Sequence, residues 1–183
     1  MLTNCQHKIT SSQSIQFFKG KAQVVDKIKG KTDYVYFQSS VEYPVRLRLD
    51  IDMTMLGIPV GMLVIDHEKA TLLSLTDKKA YQTEQSSLLL ERLLKTKISA
   101  FDITAAFAER FPLSRSWSCV KDVDTNTCTA PGITLVQSAA PEQSRQMVIE
   151  SETSKVTMIY RTTDSGSSQF SVKVPKDFKV IQL

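Results

Sequence analysis

Few residues in this chain are able to move a proton or attack a substrate, and they are poorly placed for it. There are two histidines, His7 in a polar N-terminal stretch and His67 in the turn Asp66-His67-Glu68-Lys69. A nucleophilic serine site needs a buried acid behind its imidazole and a strained serine turn, and no GxSxG is present. The six glycines form neither GxGxxG nor GxxxxGK, so no loop is built to cradle phosphate. Asp50 and Asp52 fall on the same side of an alternating segment as Arg46 and Arg48, the pattern of a solvated sheet face crossed by ion pairs. Cys119 and Cys128 flank the polar run VKDVDTNT. They read as a disulfide in an oxidising compartment, the alternative being two reduced buried thiols, and the neighbourhood offers too few ligands for zinc. These residues point away from catalysis and cofactor chemistry. Binding remains.

Bulk properties narrow the partner. At 183 residues with 42% hydrophobic and 23% charged residues, the chain can bury a core of its own. Its formal charge of +4 is spread without a basic block, and its aromatic residues are not interleaved with cations, which excludes nucleic acid. A weak attraction to an anionic membrane surface is compatible with that charge. No apolar run is long enough to span a bilayer as a helix. Cys5 follows Leu2-Thr3-Asn4, and Leu-x-x-Cys resembles a bacterial lipobox, which makes Cys5 the candidate for lipidation.

The elements that position these residues follow from periodicity. Residues 1–14 read as a polar arm and 15–183 as one domain. In Val45–Thr54 the residues Val45, Leu47, Leu49, Ile51 and Met53 alternate with Arg46, Arg48, Asp50, Asp52 and Thr54, as in a strand with one buried face. Strands are expected before it at Ile15–Ile28 and Asp33–Gln38, the latter apolar on both faces and so covered on both. Others follow at Val60–Ile65, Ala70–Leu75 and Lys79–Gln82. The linker Met55-Leu56-Gly57-Ile58-Pro59 is apolar where hairpins are normally polar. The period then turns helical over Glu84–Lys97, capped by Thr83, and again from an Asp102 cap to Phe111. After the cysteine loop, strands are expected at Ile133–Ser138, Arg145–Ser151, Lys155–Thr163, Gln169–Val174 and Phe178–Ile181. This order excludes a parallel doubly wound sheet. It predicts an α+β fold, mostly antiparallel β, in which ten to eleven strands form a curved sheet with the helices over its concave face.

The segment RLRLDIDMTMLGIPVGMLVIDHEKATLLSLTDKKAYQ, followed by a leucine-rich helix and FDITAAFAERFP, resembles the LolB-type outer-membrane lipoprotein receptors. The C-terminal QFSVKVPKDFKVIQL resembles the closing segment of the related LolA-type periplasmic carriers. The resemblance implies an incomplete β-barrel, a half-barrel lidded by helices, whose apolar cavity takes lipoprotein acyl chains and delivers them to the outer membrane. By position, Leu56 is the hairpin residue that enters the membrane, with Ile58 as second candidate. The cavity candidates are Leu47, Leu49, Ile51, Leu72, Leu89, Leu90, Leu93 and Phe107. The implied partners are lipoproteins, the inner leaflet of the outer membrane and a periplasmic carrier protein, and the implied location is the periplasmic side of that membrane, anchored through Cys5. One departure matters: the carrier's lid is tied by an arginine before the proline that opens the long strand, and here Tyr43 precedes Pro44. The other reading is a half-barrel whose interior is filled by its own side chains and which binds a partner protein in the cell envelope.

Overall fold

A computed structural model describes residues 14–53, 57–111 and 113–183. Its strands make one open, curved sheet. The N-terminal half supplies β1 (Gln16–Asp26), β2 (Lys31–Glu42), β3 (Arg46–Asp52), β4 (Pro59–Asp66), β5 (Lys69–Ser74) and β6 (Lys79–Thr83). Two short helices follow, α1 (Ser86–Leu94) and α2 (Ala100–Phe107). The C-terminal half supplies β7 (Ser118–Lys121), β8 (Thr125–Ala130), β9 (Ile133–Ala140), β10 (Ser144–Ser151), β11 (Ser154–Thr163) and β12 (Lys179–Gln182). The order across the sheet is β12-β6-β5-β4-β3-β2-β1-β11-β10-β9-β8-β7. Each half is a meander of hairpins, and the halves join where β1 pairs antiparallel with β11. At that seam a Cβ on Gly20 would run into the Ile159 carbonyl and Tyr160, so glycine is what lets the two backbones approach.

The alternation read from Val45 onward holds. Leu47, Leu49 and Ile51 are buried on the inner face, while Arg46, Arg48, Asp50 and Asp52 are half-buried on the outer one. The Arg48 Nε donates to an Asp50 carboxylate oxygen at 2.8 Å, and Arg46 bridges Glu42 and Asp66 at 3.0 and 2.8 Å. The mostly antiparallel half-barrel with two helices is the architecture observed, with twelve strands among the described residues where ten or eleven were expected.

Four details differ from expectation. The cysteine run is a hairpin of β7 and β8, not a loop; the Cys119–Cys128 disulfide is present, and it holds two residues that face each other across that pair. Threonine-rich strands with little apolar content carry no clear period, which hid them. Gln169–Val174 is not a strand; residues 164–178 form an irregular strap. Tyr34 is 67% exposed, its hydroxyl accepting from Gln23 Nε2, so this part of β2 is covered on its inner face alone. The helices start elsewhere: α1 has Gln85 at its cap with no side-chain bond, while Thr83 Oγ1 accepts from the Gln85 N–H at 3.0 Å. In α2 the cap is Ser99, whose hydroxyl accepts from the Asp102 N–H and donates to its carboxylate. That S-x-x-D box lies one turn before the predicted start.

The strap lies on the outer face. Gly166 packs against Phe17, the Gln169 carbonyl accepts from Arg48, and the Arg46 guanidinium sits 5.4 Å from the centre of the buried Phe170 ring. Val64, Leu73 and Ala80 point outward by register yet are buried, forming with Phe170 an apolar layer separate from the inner core. Having crossed the sheet, the chain enters β12 in the same direction as β6, the one parallel pair among the described residues.

Candidate functional site

The inner face of the sheet is apolar across nearly its whole width. Phe18 and Ala22 of β1, Phe37 and Val41 of β2, Leu63 and Ile65 of β4, Leu135 of β9, Met147 and Ile149 of β10, and Val156 and Met158 of β11 all belong to one buried cluster. Two helices, of nine and eight residues, lie over it, together with Ile98, Leu113 and Trp117 from the segments that follow them. α1 rests on β5 and β6, α2 on β2 and β3. Phe107 near the end of α2 reaches the seam, with ring centres 5.4 Å from Phe18, 5.1 Å from Tyr160 and 6.4 Å from Phe37.

All eight cavity candidates come together here. Leu47, Leu49, Ile51, Leu72, Leu89, Leu90 and Phe107 are buried members of the cluster, and Leu93 packs against it half-buried. They pack within the core between the sheet and the two helices. Sequence reasoning drew its candidates from β3, β5 and the helices and missed the C-terminal half. Met147, Met158 and Tyr160 were findable from the alternation of Met147 and Ile149 in β10 and of Val156, Met158 and Tyr160 in β11, although Arg145, Val148 and Ile159 blur it beside the strict pattern of β3. Of the two hairpin candidates, Ile58 is 54% exposed beside Met53 at 59%, and the Met53 N–H donates to the Ile58 carbonyl at 3.0 Å. Leu56 and Cys5 lie outside the described residues.

The lid is held by polar contacts around its second helix. The Thr104 hydroxyl donates to the Pro44 carbonyl, and Asp102 accepts from the Ser114 N–H at 3.0 Å. Gln137, buried on the inner face of β9, donates from Nε2 to the Ala106 carbonyl at 3.1 Å and to the Tyr160 hydroxyl at 2.6 Å, while its Oε1 has no partner. Burial pushes the Tyr160 phenol above its ordinary pKa. At the rim, Arg145 Nε donates to Glu109 at 2.6 Å, which raises the Arg145 pKa further. Tyr43, the residue before Pro44, is contacted from α2 and the segment after it. The Tyr43 ring meets Phe101 at 5.5 Å, and the Arg110 guanidinium lies 4.6 Å from the Tyr43 ring centre.

His67 is an exposed turn residue whose Nδ1 lies 2.8 Å from Asp66, itself held below the usual carboxylate range first by Arg46. Among the described residues no three His, Cys, Asp or Glu side chains gather closely enough to hold a metal ion. The surface carries two hollows of note. A polar one of about 210 Å³ lies beside Glu109, Arg145 and the β7–β8 hairpin. A larger open groove of about 750 Å³ lies on the outer face.

No protein-family model matches the chain, and no curated protein matches it. Among solved structures it is similar to a LolA superfamily protein from Nitrosomonas europaea, at 8% identity and a TM-score of 0.46, covering 88% of this chain and 91% of that one.

Proposed function

We propose that this chain binds lipoprotein acyl chains between the inner face of its sheet and α1–α2, and passes them to the outer membrane without catalysing a reaction. The observation that carries this reading is one broad, continuous apolar inner face whose cover consists of two short helices and the segments after them, which contribute Ile98, Leu113 and Trp117. Each acyl methylene moved from water into such an environment contributes about 0.8 kcal/mol, so a long chain readily offsets the packing a short helix gives up when it lifts off the sheet. The exposed hairpin supplies a membrane contact: one Leu or Ile entering a bilayer gains about 1.5–3 kcal/mol, enough to bias an encounter but not to anchor the protein. The disulfide suits the oxidising periplasm, and acylation at Cys5 would hold the protein at the periplasmic side of the outer membrane.

The test uses a triacylated lipopeptide and acceptor vesicles. Wild-type protein is expected to bind the lipopeptide and transfer it. Ile58→Glu, at an exposed position, should bind equally and transfer less. Absence of lipopeptide binding by the folded wild type refutes the reading. In that case the second reading stands, a half-barrel that binds a partner protein, favoured by the complete burial of Leu47, Leu63, Leu89 and Leu90.

A further inference from the structure

The outer face of the sheet has its own charge pattern. Arg46, Arg48 and Lys155 each meet a carboxylate there, from Asp66 and Glu42, Asp50, and Glu150. Lys19, Lys21 and Arg161 also point to that face, and among the described residues none has a carboxylate within ion-pair distance. Lys19 and Arg161 are direct partners across β1 and β11, an arrangement in which like charges disfavour pairing. Lys21 is one step further along β1, opposite Tyr36 and Ile159.

These three cations line the large outer groove. Its floor is β2, β1 and β11; one wall is the β3–β4 hairpin at Gly57, the other the β9–β10 turn at Pro141 and Glu142. The strap that covers the outer apolar layer passes at Gly166 and Gln169 and leaves this area open. Asp52 and Glu142 lie in the walls, so the cations outnumber the carboxylates. The Gly57 wall belongs to the hairpin that exposes Met53 and Ile58. One surface therefore joins an apolar projection to a cationic hollow, the combination that suits an anionic bilayer, with side chains entering the acyl region and cations meeting phosphates.

We infer that Lys19, Lys21 and Arg161 form a binding site for the phosphate groups of anionic membrane lipids, and that it orients the outer face of the sheet against the bilayer while the hairpin enters it. The inference takes the hairpin's membrane contact from the function proposed above but is independent of acyl-chain binding. Unpaired like charges held side by side are a cost in the free protein that a phosphate removes.

Binding of the full chain is measured by co-sedimentation with vesicles of phosphatidylcholine alone and of phosphatidylcholine mixed with phosphatidylglycerol, without lipoprotein. Each neutralised cation is expected to lower affinity for the anionic vesicles about fivefold, and the triple variant K19Q/K21Q/R161Q about a hundredfold, with the wild-type affinity falling as salt rises. The control K121Q/K176Q/K179Q makes the same change in net charge away from the groove and should lose far less. Ile58→Glu should weaken binding to both vesicle types, which separates failure of the hairpin from failure of the groove. Circular dichroism confirms folding, and the single variant K19Q serves if the triple does not fold. Equal losses in the two triple variants, or no loss in the groove variant, overturn the inference. So does a groove whose backbone amide signals respond to inorganic phosphate, or to a polyglutamate peptide, while vesicles of neither composition bind.

Discussion

Gln137 and Tyr160 offer a test of how the lid is held, because they are polar groups placed in an otherwise apolar interior. Replacing Gln137 with leucine keeps the volume but removes the donor to Ala106 and Tyr160. The Ala106 carbonyl still accepts from the Glu109 N–H at 3.1 Å, so the main loss is a buried Tyr160 hydroxyl without a partner. That should cost about 1–3 kcal/mol, offset in part because the orphaned Gln137 Oε1 is removed as well. Tyr160→Phe keeps the ring packing on Phe18 and Phe107 and removes one hydrogen bond, at about 1 kcal/mol. In the double variant no polar atom of the pair is left to satisfy, and its stability should return to within about 1 kcal/mol of wild type. The coupling, measured by urea unfolding of all four proteins, is then opposite in sign to the single losses. Hydrogen exchange at the α2 amides should rise in Gln137→Leu and in the double variant alike, since both release the helix end. If the double variant loses the sum of the singles, the pair is not the coupled unit described, and the geometry around Ala106 is misread.

Two further outcomes follow from the same structure. Reducing the Cys119–Cys128 bond, or replacing both cysteines with alanine, should lower the unfolding free energy by about 3 kcal/mol, the value for so short a closed loop. The denaturation midpoint with and without reductant measures this, and an unchanged midpoint would show that the hairpin is held by its strand pairing alone. The second concerns alkaline pH. The folded pKa of Tyr160 is raised above its unfolded value, so its contribution is fully present below about pH 10 and is lost as pH climbs toward the folded value. Thermal unfolding across that range should fall less steeply in Tyr160→Phe than in wild type, and parallel curves would contradict the burial of this phenol.

Much of the architecture was legible because side-chain period is a local property. The strict alternation in β3 could be satisfied only by a strand with one wet and one dry face, and the inner leucines and outer ion pairs are where it put them. The leucine spacing in α1 likewise defines a stripe, and its buried members are Leu89, Leu90 and Leu94. Boundaries were less legible, since Asp102 and Ser99 are both good caps and only the observed hydrogen bonds choose between them. The β7–β8 hairpin was missed because threonine and asparagine strands have no apolar period, and their pairing is supplied by β9 and the disulfide.

Local pattern was enough for the two-faced strands, the greasy hairpin and the helical stripes, because each depends on neighbours a few residues apart; it left Cys119 and Cys128 as either a disulfide or two thiols, and the structure shows the disulfide. Tertiary structure alone decided that β1 closes against β11, that Gln137 reaches Ala106, and that the strap crosses the outer face to pair β12 beside β6. It also placed Lys19 opposite Arg161, residues far apart in the chain whose charges meet only through strand register. Contacts between distant residues are chosen by how the whole sheet curls, and no local pattern carries that information.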